Sequence, residues 1–380
     1  MKTTVCILLF FGSSFLWSQS DITEVGNLPQ LIFETSGLLS YNGKLITHND
    51  SGNASELYEL DVNTLQITRT VTITNAENVD WEDLAQDSNF IYIGDFGNNS
   101  GDREDLSILK IAKSDYDNSD SVTAETINFL YEDQTDFITT TDSDFDAEAF
   151  FSLGDNLIIL TKQWQQNGTV AYRVPKLPGA FLAERLDSYQ VDGLVTGATY
   201  DENTNQLSLV GYSQFLFPFY VLIEDIQNNT IFGGDKTKTN LTIGQAQVEA
   251  ITLFDNNQFY ISSEEFSNPP LVNSPSRLFT FTLDSEQEEN PPEENPNGEN
   301  QEEELLVYKT FGSQSLNYSL NTNRAITGMG IFDISGRMIT YVPLERLSDS
   351  PIDITQYNQS LYYLTFFLID DAISVPFFRD

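Results

Sequence analysis

Acidic and small polar side chains recur at matching positions of a repeated segment, and their chemistry is the first clue to function. Five segments open with one such residue, followed by an apolar strand, a turn and a second strand. Because antiparallel neighbours start and end at the same sheet edge, we expect all of these residues to ring one opening. The opening residues are Ser36, Glu82, Glu148, Thr196 and Glu249, and the second strands end at His48-Asn49-Asp50, Asp95, Lys162, Tyr212 and Glu264-Glu265.

Carboxylates crowded in this way favour a cation. Like charges raise each other's pKa unless a cation or a hydrogen-bond donor is close, and Ca²⁺ takes oxygen ligands. The sequence therefore predicts calcium or another divalent cation near Glu82, Glu148 and Glu249, with Asp50 and Asp95 as further ligands. The alternative is that these acids cap strand ends and face water. We predict no other cofactor-binding residues.

The same carboxylates are compatible with two kinds of hydrolase. A pair of them would serve as acid and base on a glycosidic bond, or a bound metal would activate water on an ester or lactone. Neither a GxSxG nor an HExxH motif is present, and His48 is the only histidine. The position of His48 at a strand end favours a hydrogen-bonding role. Catalytic residues thus stay unknown, and a cation-supported binding protein is preferred over an enzyme.

Aromatic residues near the predicted loops suggest a ligand-binding surface. Phe215, Phe217, Tyr212 and Trp164 would present flat faces to an extracellular ligand such as a carbohydrate. The alternative is that aromatic rings fill the space between repeats, which applies equally to Trp81 and Phe96.

The repeats predict an all-β chain with a β-propeller between Asp21 and Asp284. Their spacing of about fifty residues is near that of propeller blades, and stacking four-stranded blades around an axis buries both blade faces. Five blades are preferred, and a sixth would have to lie between Glu82 and Glu148. The fifth repeat lacks a fourth strand, which Asp21 to Pro29 is expected to supply. On the features "SGL", "Glu-Ala" and "LYELD" this segment resembles the extracellular bacterial propellers of the lactonase-like and phytase-like group.

Charge and the first twenty residues indicate export. The chain has 57 Asp plus Glu against 18 Lys plus Arg, a net charge of -39, which disfavours nucleic acids and anionic membrane surfaces as partners. The first twenty residues have the three parts of a signal peptide, which we predict over residues 1–20. These parts are a positive charge at Lys2, an apolar run from Val5 to Phe15 and a small polar segment at Ser18-Gln19-Ser20. That run is too short to span a bilayer, so we expect no transmembrane segment in the mature chain. Cys6, the only cysteine, lies within it.

A compositional break separates the propeller from a second module. Residues 285–304 hold only acids, Gln, Asn, Pro, Gly and Ser, which predicts a disordered linker. Residues 305–380 become globular again, with strand-like segments and a tight turn at Ser335-Gly336, and their length predicts a small β-sandwich.

This second module carries the more specific resemblance. "GIFDISGRMI" followed by "IDITQYNQSLYYLTFFLIDDAISVPFFRD" resembles the C-terminal sorting domain of type IX secretion cargo. Asp333, Gly336 and Arg337 match the turn of that family, whereas Ser360 stands where the family usually has Gly. The resemblance implies the type IX secretion machinery as a partner, and release from or attachment to the surface of a Gram-negative bacterium.

Overall fold

The computed structural model describes residues 18–19, 22–255, 257–268, 272–284, 304–308, 315–322, 324–333, 337–347, 351–358, 360–368 and 372–379. The predicted signal peptide and acidic linker lie almost wholly outside these residues. Within them the chain is nearly all strand, as the sequence predicts, and no helix has the length and apolar character to cross a bilayer.

Five antiparallel blades follow one another along the chain, and the first strand named in each is the inner one and the last the outer one. Blade 1 comprises Thr35–Tyr41, Lys44–Asn49, Glu56–Leu60 and Ile67–Ile73. Blade 2 comprises Trp81–Gln86, Phe90–Asp95, Ser107–Ala112 and Glu125–Tyr131. Blade 3 comprises Ala147–Leu153, Asn156–Thr161, Thr169–Pro175 and Gly179–Tyr189. Blade 4 comprises Leu194–Asp201, Gln206–Tyr212, Pro218–Glu224 and Lys236–Asn240. Blade 5 comprises Val248–Asp255, Gln258–Ser263, Arg277–Asp284 and the N-terminal strand Thr23–Asn27.

The N-terminal strand closes the ring, which confirms the prediction for Asp21 to Pro29. Thr23 lies opposite Thr280 and Asn27 opposite Arg277 in an antiparallel ladder. Each inner strand contacts the inner strands of both neighbouring blades, including blade 5 with blade 1. The architecture is therefore a five-bladed β-propeller.

The long interval before blade 3 is occupied without a sixth blade. Residues 96–147, all described, hold the outer half of blade 2, the short helix Lys113–Asn118 and the strand Ser121–Val122, which pairs in parallel with the outer strand of blade 1. The outer strands of blades 2 and 3 also pair in parallel, which joins these blades into one sheet. The remaining short elements are Ser18–Gln19, the 3₁₀ turn Gln30–Ile32 and the hairpin Phe266–Asn268 with Val272–Ser274.

Each interface between neighbouring blades has its own apolar core. Side chains alternate along a strand, so Ile91 and Ile93 pack toward blade 1 while Tyr92 packs toward blade 3. Both faces of this strand are covered, which explains its nearly continuous apolar sequence. Trp81 and Phe96 are fully buried in these cores, as the gap-filling alternative expects.

The C-terminal residues form the predicted small sandwich of two sheets. One sheet holds Glu304–Tyr308, Ser315–Asn321 and Ile352–Asp353, and the other holds Met338–Pro343, Ile326–Asp333, Ser360–Leu368 and Ala372–Arg379, with a 3₁₀ turn at Leu344–Arg346. The turn of the sorting motif is closed by hydrogen bonds from the Arg337 backbone N–H to Asp333 Oδ1, at 3.0 Å, and from the Asp333 N–H to the Arg337 carbonyl, at 3.0 Å. Gly336 lies outside the described residues.

Candidate functional site

A β-bulge occurs at the same register of all five inner strands. In blade 2, Trp81 pairs with Asp95 and the next pair is Asp83 with Gly94, so Glu82 has no ladder partner. A bulge inserts one extra residue and redirects its side chain. The redirected residues are Ser36 (with Gly37), Glu82, Glu148, Thr196 and Glu249, the set that the sequence predicts to lie together.

The two hydroxyl-bearing bulge residues link neighbouring blades. Ser36 Oγ donates to the Glu82 carbonyl at 2.5 Å, and Thr196 Oγ1 donates to the Val248 carbonyl at 2.5 Å. These two positions therefore hold inner strands together. The other three bulge residues, Glu82, Glu148 and Glu249, place carboxylates at the mouth.

Glu82 belongs to a compact group of three carboxylates, the acidic cluster, with Asp50 and Asp80. One oxygen from each lies within 4.8 Å of the others. Glu82 is only 3% exposed. In the part of the chain that the structure describes, its carboxylate has no hydrogen-bond or ion-pair partner. A largely buried carboxylate without a protein donor is costly, and protonation or a bound cation would lower that cost.

Gly97 forms one wall of the acidic cluster. A methyl group on Gly97 would overlap the Glu82 carboxylate and lie 2.5 Å from that of Asp80. Glycine at this position therefore keeps the space beside these two carboxylates open.

Glu148, in contrast, is neutralised within the protein. Its Oε1 lies 3.0 Å from Lys162 Nζ, and both side chains are almost fully buried. The ammonium also lies 4.6 Å from the Trp164 ring centre and 5.4 Å from that of Tyr212. Burial lowers the pKa of Lys162, but Glu148 and the other acids around it outweigh burial and hold that pKa well above its usual range.

The remaining predicted ligands differ in their surroundings. Asp95 accepts hydrogen bonds from Arg103, at 3.1 Å, and from the Asp80 backbone N–H, at 3.1 Å, so it supports the acidic cluster without joining it. Glu249 is 7% exposed and, among the described residues, has no hydrogen-bond or ion-pair partner. Burial raises its pKa well above the usual range, and the nearby Lys162 opposes that rise.

Two acids of the mouth were missed by sequence reasoning. Asp80 completes the acidic cluster, and Asp146 accepts hydrogen bonds from the Asn98 backbone N–H at 2.6 Å and from Trp164 Nε1 at 2.8 Å. Both precede a bulged glutamate by two residues. The repeated pattern that would have indicated them is Asp80-Trp81-Glu82, Asp146-Ala147-Glu148 and Gln247-Val248-Glu249.

Burial and mutual repulsion leave several mouth acids protonated near neutral pH. Burial, with Glu148 and Asp80, raises the pKa of Asp50 to about 7. Burial, with Glu148, raises the pKa of Asp80 to about 6, and burial, with Asp50, raises that of Glu264 to about 8. The pKa of Glu82 is raised well above its usual range, chiefly by burial. A bound cation would replace these protons.

His48 has a structural environment. It is fully buried, its Nδ1 donates to the Asn49 carbonyl at 2.9 Å, and its ring packs edge-on to Trp81 with centres 5.6 Å apart. Burial lowers the pKa of His48 to about 4, so the ring is neutral at pH 7. This agrees with a hydrogen-bonding role.

Two of the predicted ligand-binding aromatics line a cleft on the mouth face. Trp164 and Tyr212 contribute to a cleft of about 540 Å³ between blades 3, 4 and 5. Trp164 is half-buried, whereas Tyr212 is 3% exposed.

The other two contact the C-terminal sandwich. The Phe215 ring lies 4.4 Å from that of Phe332, and the Phe217 ring lies 6.2 Å from that of Phe367. Their role in ligand binding stays a prediction.

No protein-family model matches the chain, and no curated protein matches it. Among solved structures, the catalytic domain of Coprinopsis cinerea GH62 α-L-arabinofuranosidase is 12% identical, with 72% of this chain and 98% of that one covered and a TM-score of 0.43. PQQ-bound aldose sugar dehydrogenase from Streptomyces coelicolor is 8% identical, with 71% of this chain and 99% of that one covered and a TM-score of 0.42. Myxococcus xanthus glutaminyl cyclase is 12% identical, with 69% of this chain and 96% of that one covered and a TM-score of 0.42. These likenesses are weak, and no residue role follows from them.

The raised pKa values of Asp50, Asp80 and Glu264 predict how stability depends on pH without divalent cations. The folded protein keeps protons that the unfolded chain releases above about pH 4, so these groups stabilise the fold at low pH. That contribution is lost as pH rises through about 6 to 8. Urea unfolding in chelator should therefore give a lower free energy of unfolding at pH 8 than at pH 5, with up to about 2.7 kcal/mol of the difference from Asp50.

Asp50→Asn should flatten this pH dependence, whereas Glu202→Gln, at an exposed turn, should not. Equal slopes for the two variants would contradict the assignment of the raised pKa to Asp50.

Proposed function

We propose that this protein is an exported β-propeller that binds an extracellular ligand at its acidic channel mouth, with a divalent cation held by Asp50, Asp80 and Glu82. The observation that carries the proposal is the Glu82 carboxylate. It is buried, it lies within 4.8 Å of two further carboxylates, and no described donor reaches it.

The distribution of internal cations around the mouth supports this position. Lys162 neutralises Glu148, and Arg103 neutralises Asp95. No Lys or Arg among the described residues forms an ion pair with the acidic cluster between them. Glu148 and Asp95 are therefore each paired with a cation of the protein, whereas the acidic cluster has no ion-pair partner among the described residues.

The donor set suits a hard cation with an open coordination sphere. Ca²⁺ takes six to eight oxygen ligands, and three carboxylates supply only part of that number. Water or oxygen atoms of a ligand would fill the remaining positions. A cation here would thus bind the protein on one side and the ligand on the other.

Thermal unfolding of the whole chain tests whether a cation binds at the acidic cluster. Calcium at 100 times its dissociation constant stabilises the folded state by about 2.7 kcal/mol, which should raise the Tm by about 3–5 °C. Chelator should reverse the rise, and Glu82→Gln should abolish it because one ligand charge is removed.

Glu202→Gln removes the same charge at an exposed turn and should keep the full response. Identical melting curves with calcium and with chelator, in wild-type protein, would refute the cation site.

We also propose that the C-terminal sandwich directs export through the type IX machinery. Support comes from the sequence resemblance and from the hydrogen-bonded turn between Asp333 and Arg337. In a bacterium with that machinery, a reporter with a signal peptide followed by residues 285–380 should reach the cell surface or medium. The same fusion ending at Glu304 should remain in the periplasm. Equal export of both fusions would contradict the proposal.

A further inference from the structure

The cleft lined by Trp164 and Tyr212 opens on the face of the propeller that carries the acidic cluster. Its lining residues lie at the end of a second strand or after it, as Tyr212, Trp164 and Phe266 do, or at the start of an inner strand or before it, as Leu194, Gln247 and Asp142 do. A volume of about 540 Å³ falls within the range of roughly 300–1,000 Å³ typical of small-molecule sites. We infer that this cleft binds a neutral, polyhydroxylated ligand of the oligosaccharide class. The inference rests on the proposed function and names the ligand of the same mouth.

Trp164 provides a fixed aromatic surface in this cleft. Its Nε1 donates to Asp146 Oδ2 at 2.8 Å, and Lys162 Nζ lies 4.6 Å from its ring centre. The indole is therefore held by a hydrogen bond and a cation–π contact before any ligand arrives. A rigid ring is suited to stacking against the C–H face of a sugar, since little side-chain entropy is lost on binding.

Amide side chains supply oriented acceptors around this surface. The amide nitrogens of Gln165, Gln214 and Gln247 donate to the Asp142 carbonyl at 3.2 Å, to Asn167 Oδ1 at 3.0 Å and to the Tyr212 hydroxyl at 3.4 Å. Their carbonyl oxygens have no partner among the described residues. Three acceptors whose amide nitrogens are already hydrogen-bonded match the hydroxyl donors of a sugar.

The rest of the lining disfavours charged ligands. None of the described lining residues is Lys or Arg, and Lys162 is paired with Glu148. An anionic ligand would find no Lys or Arg side chain in the described part of the cleft lining to pair with. Leu194 and Leu216 add apolar surface for the C–H groups of a neutral ligand.

The test is binding of the whole wild-type chain, with calcium, to an array of neutral and acidic glycans, followed by titration calorimetry with the best neutral oligosaccharide. We expect binding of neutral glycans and at least a tenfold weaker affinity for Trp164→Ala, with Trp164→Phe in between because it keeps a ring but loses the bond to Asp146. Tyr200→Ala, which lines the cavity at the opposite end of the channel, should bind normally. Binding to no glycan, binding to acidic glycans alone, or equal affinity for wild type and Trp164→Ala would each overturn the inference.

The calcium-induced rise in Tm, measured on the same proteins, separates this inference from the proposed function. If Trp164→Ala keeps the rise while the array is blank, the oligosaccharide inference fails and the cation site stands. If wild type shows no rise, the cation site fails whatever the array reports.

Discussion

A four-stranded blade has two apolar faces, and the structure depends on burying both of them. Five blades do so by packing face to face, with one apolar core at each interface, and the strand Thr23–Asn27 completes the last blade. Closure of the ring brings the five inner strands into mutual contact. It thereby forces the polar residues at their ends into one narrow mouth, where their charges cannot be separated.

The bulges convert this crowding into a defined site. At two of the five positions a hydroxyl links neighbouring blades, and at the other three a buried glutamate is presented to the mouth. One residue further along blade 2, Asp83 accepts hydrogen bonds from the backbone N–H groups of Leu84, at 2.8 Å, and Phe150, at 3.1 Å, which ties blade 2 to blade 3. Carboxylates with these protein donors stabilise the ring, whereas Glu82 has none among the described residues and is available for a ligand.

The fold was predictable because strand alternation and blade repetition are local properties of the sequence. The closing strand followed from the missing fourth strand of blade 5, and the grouping of Glu82, Glu148 and Glu249 followed from the repeat register. The pairing of the acids was not predictable, because Arg103 reaches Asp95 through a loop whose path depends on tertiary contacts. The contact of Phe215 with Phe332 of the C-terminal sandwich was not predictable either, because it too depends on the tertiary path of a loop.

Calorimetric titration of the whole chain with calcium, in buffers of different ionisation enthalpy, tests the central claim most directly. The pKa of Asp50 is about 7 and that of Asp80 about 6 in the cation-free protein, so a cation that binds between them must displace protons. We expect net proton release on calcium binding at pH 6 that diminishes toward pH 9, and no calcium-linked proton release in Glu82→Gln. Absence of calcium binding, or binding with no proton release at pH 6, would contradict it.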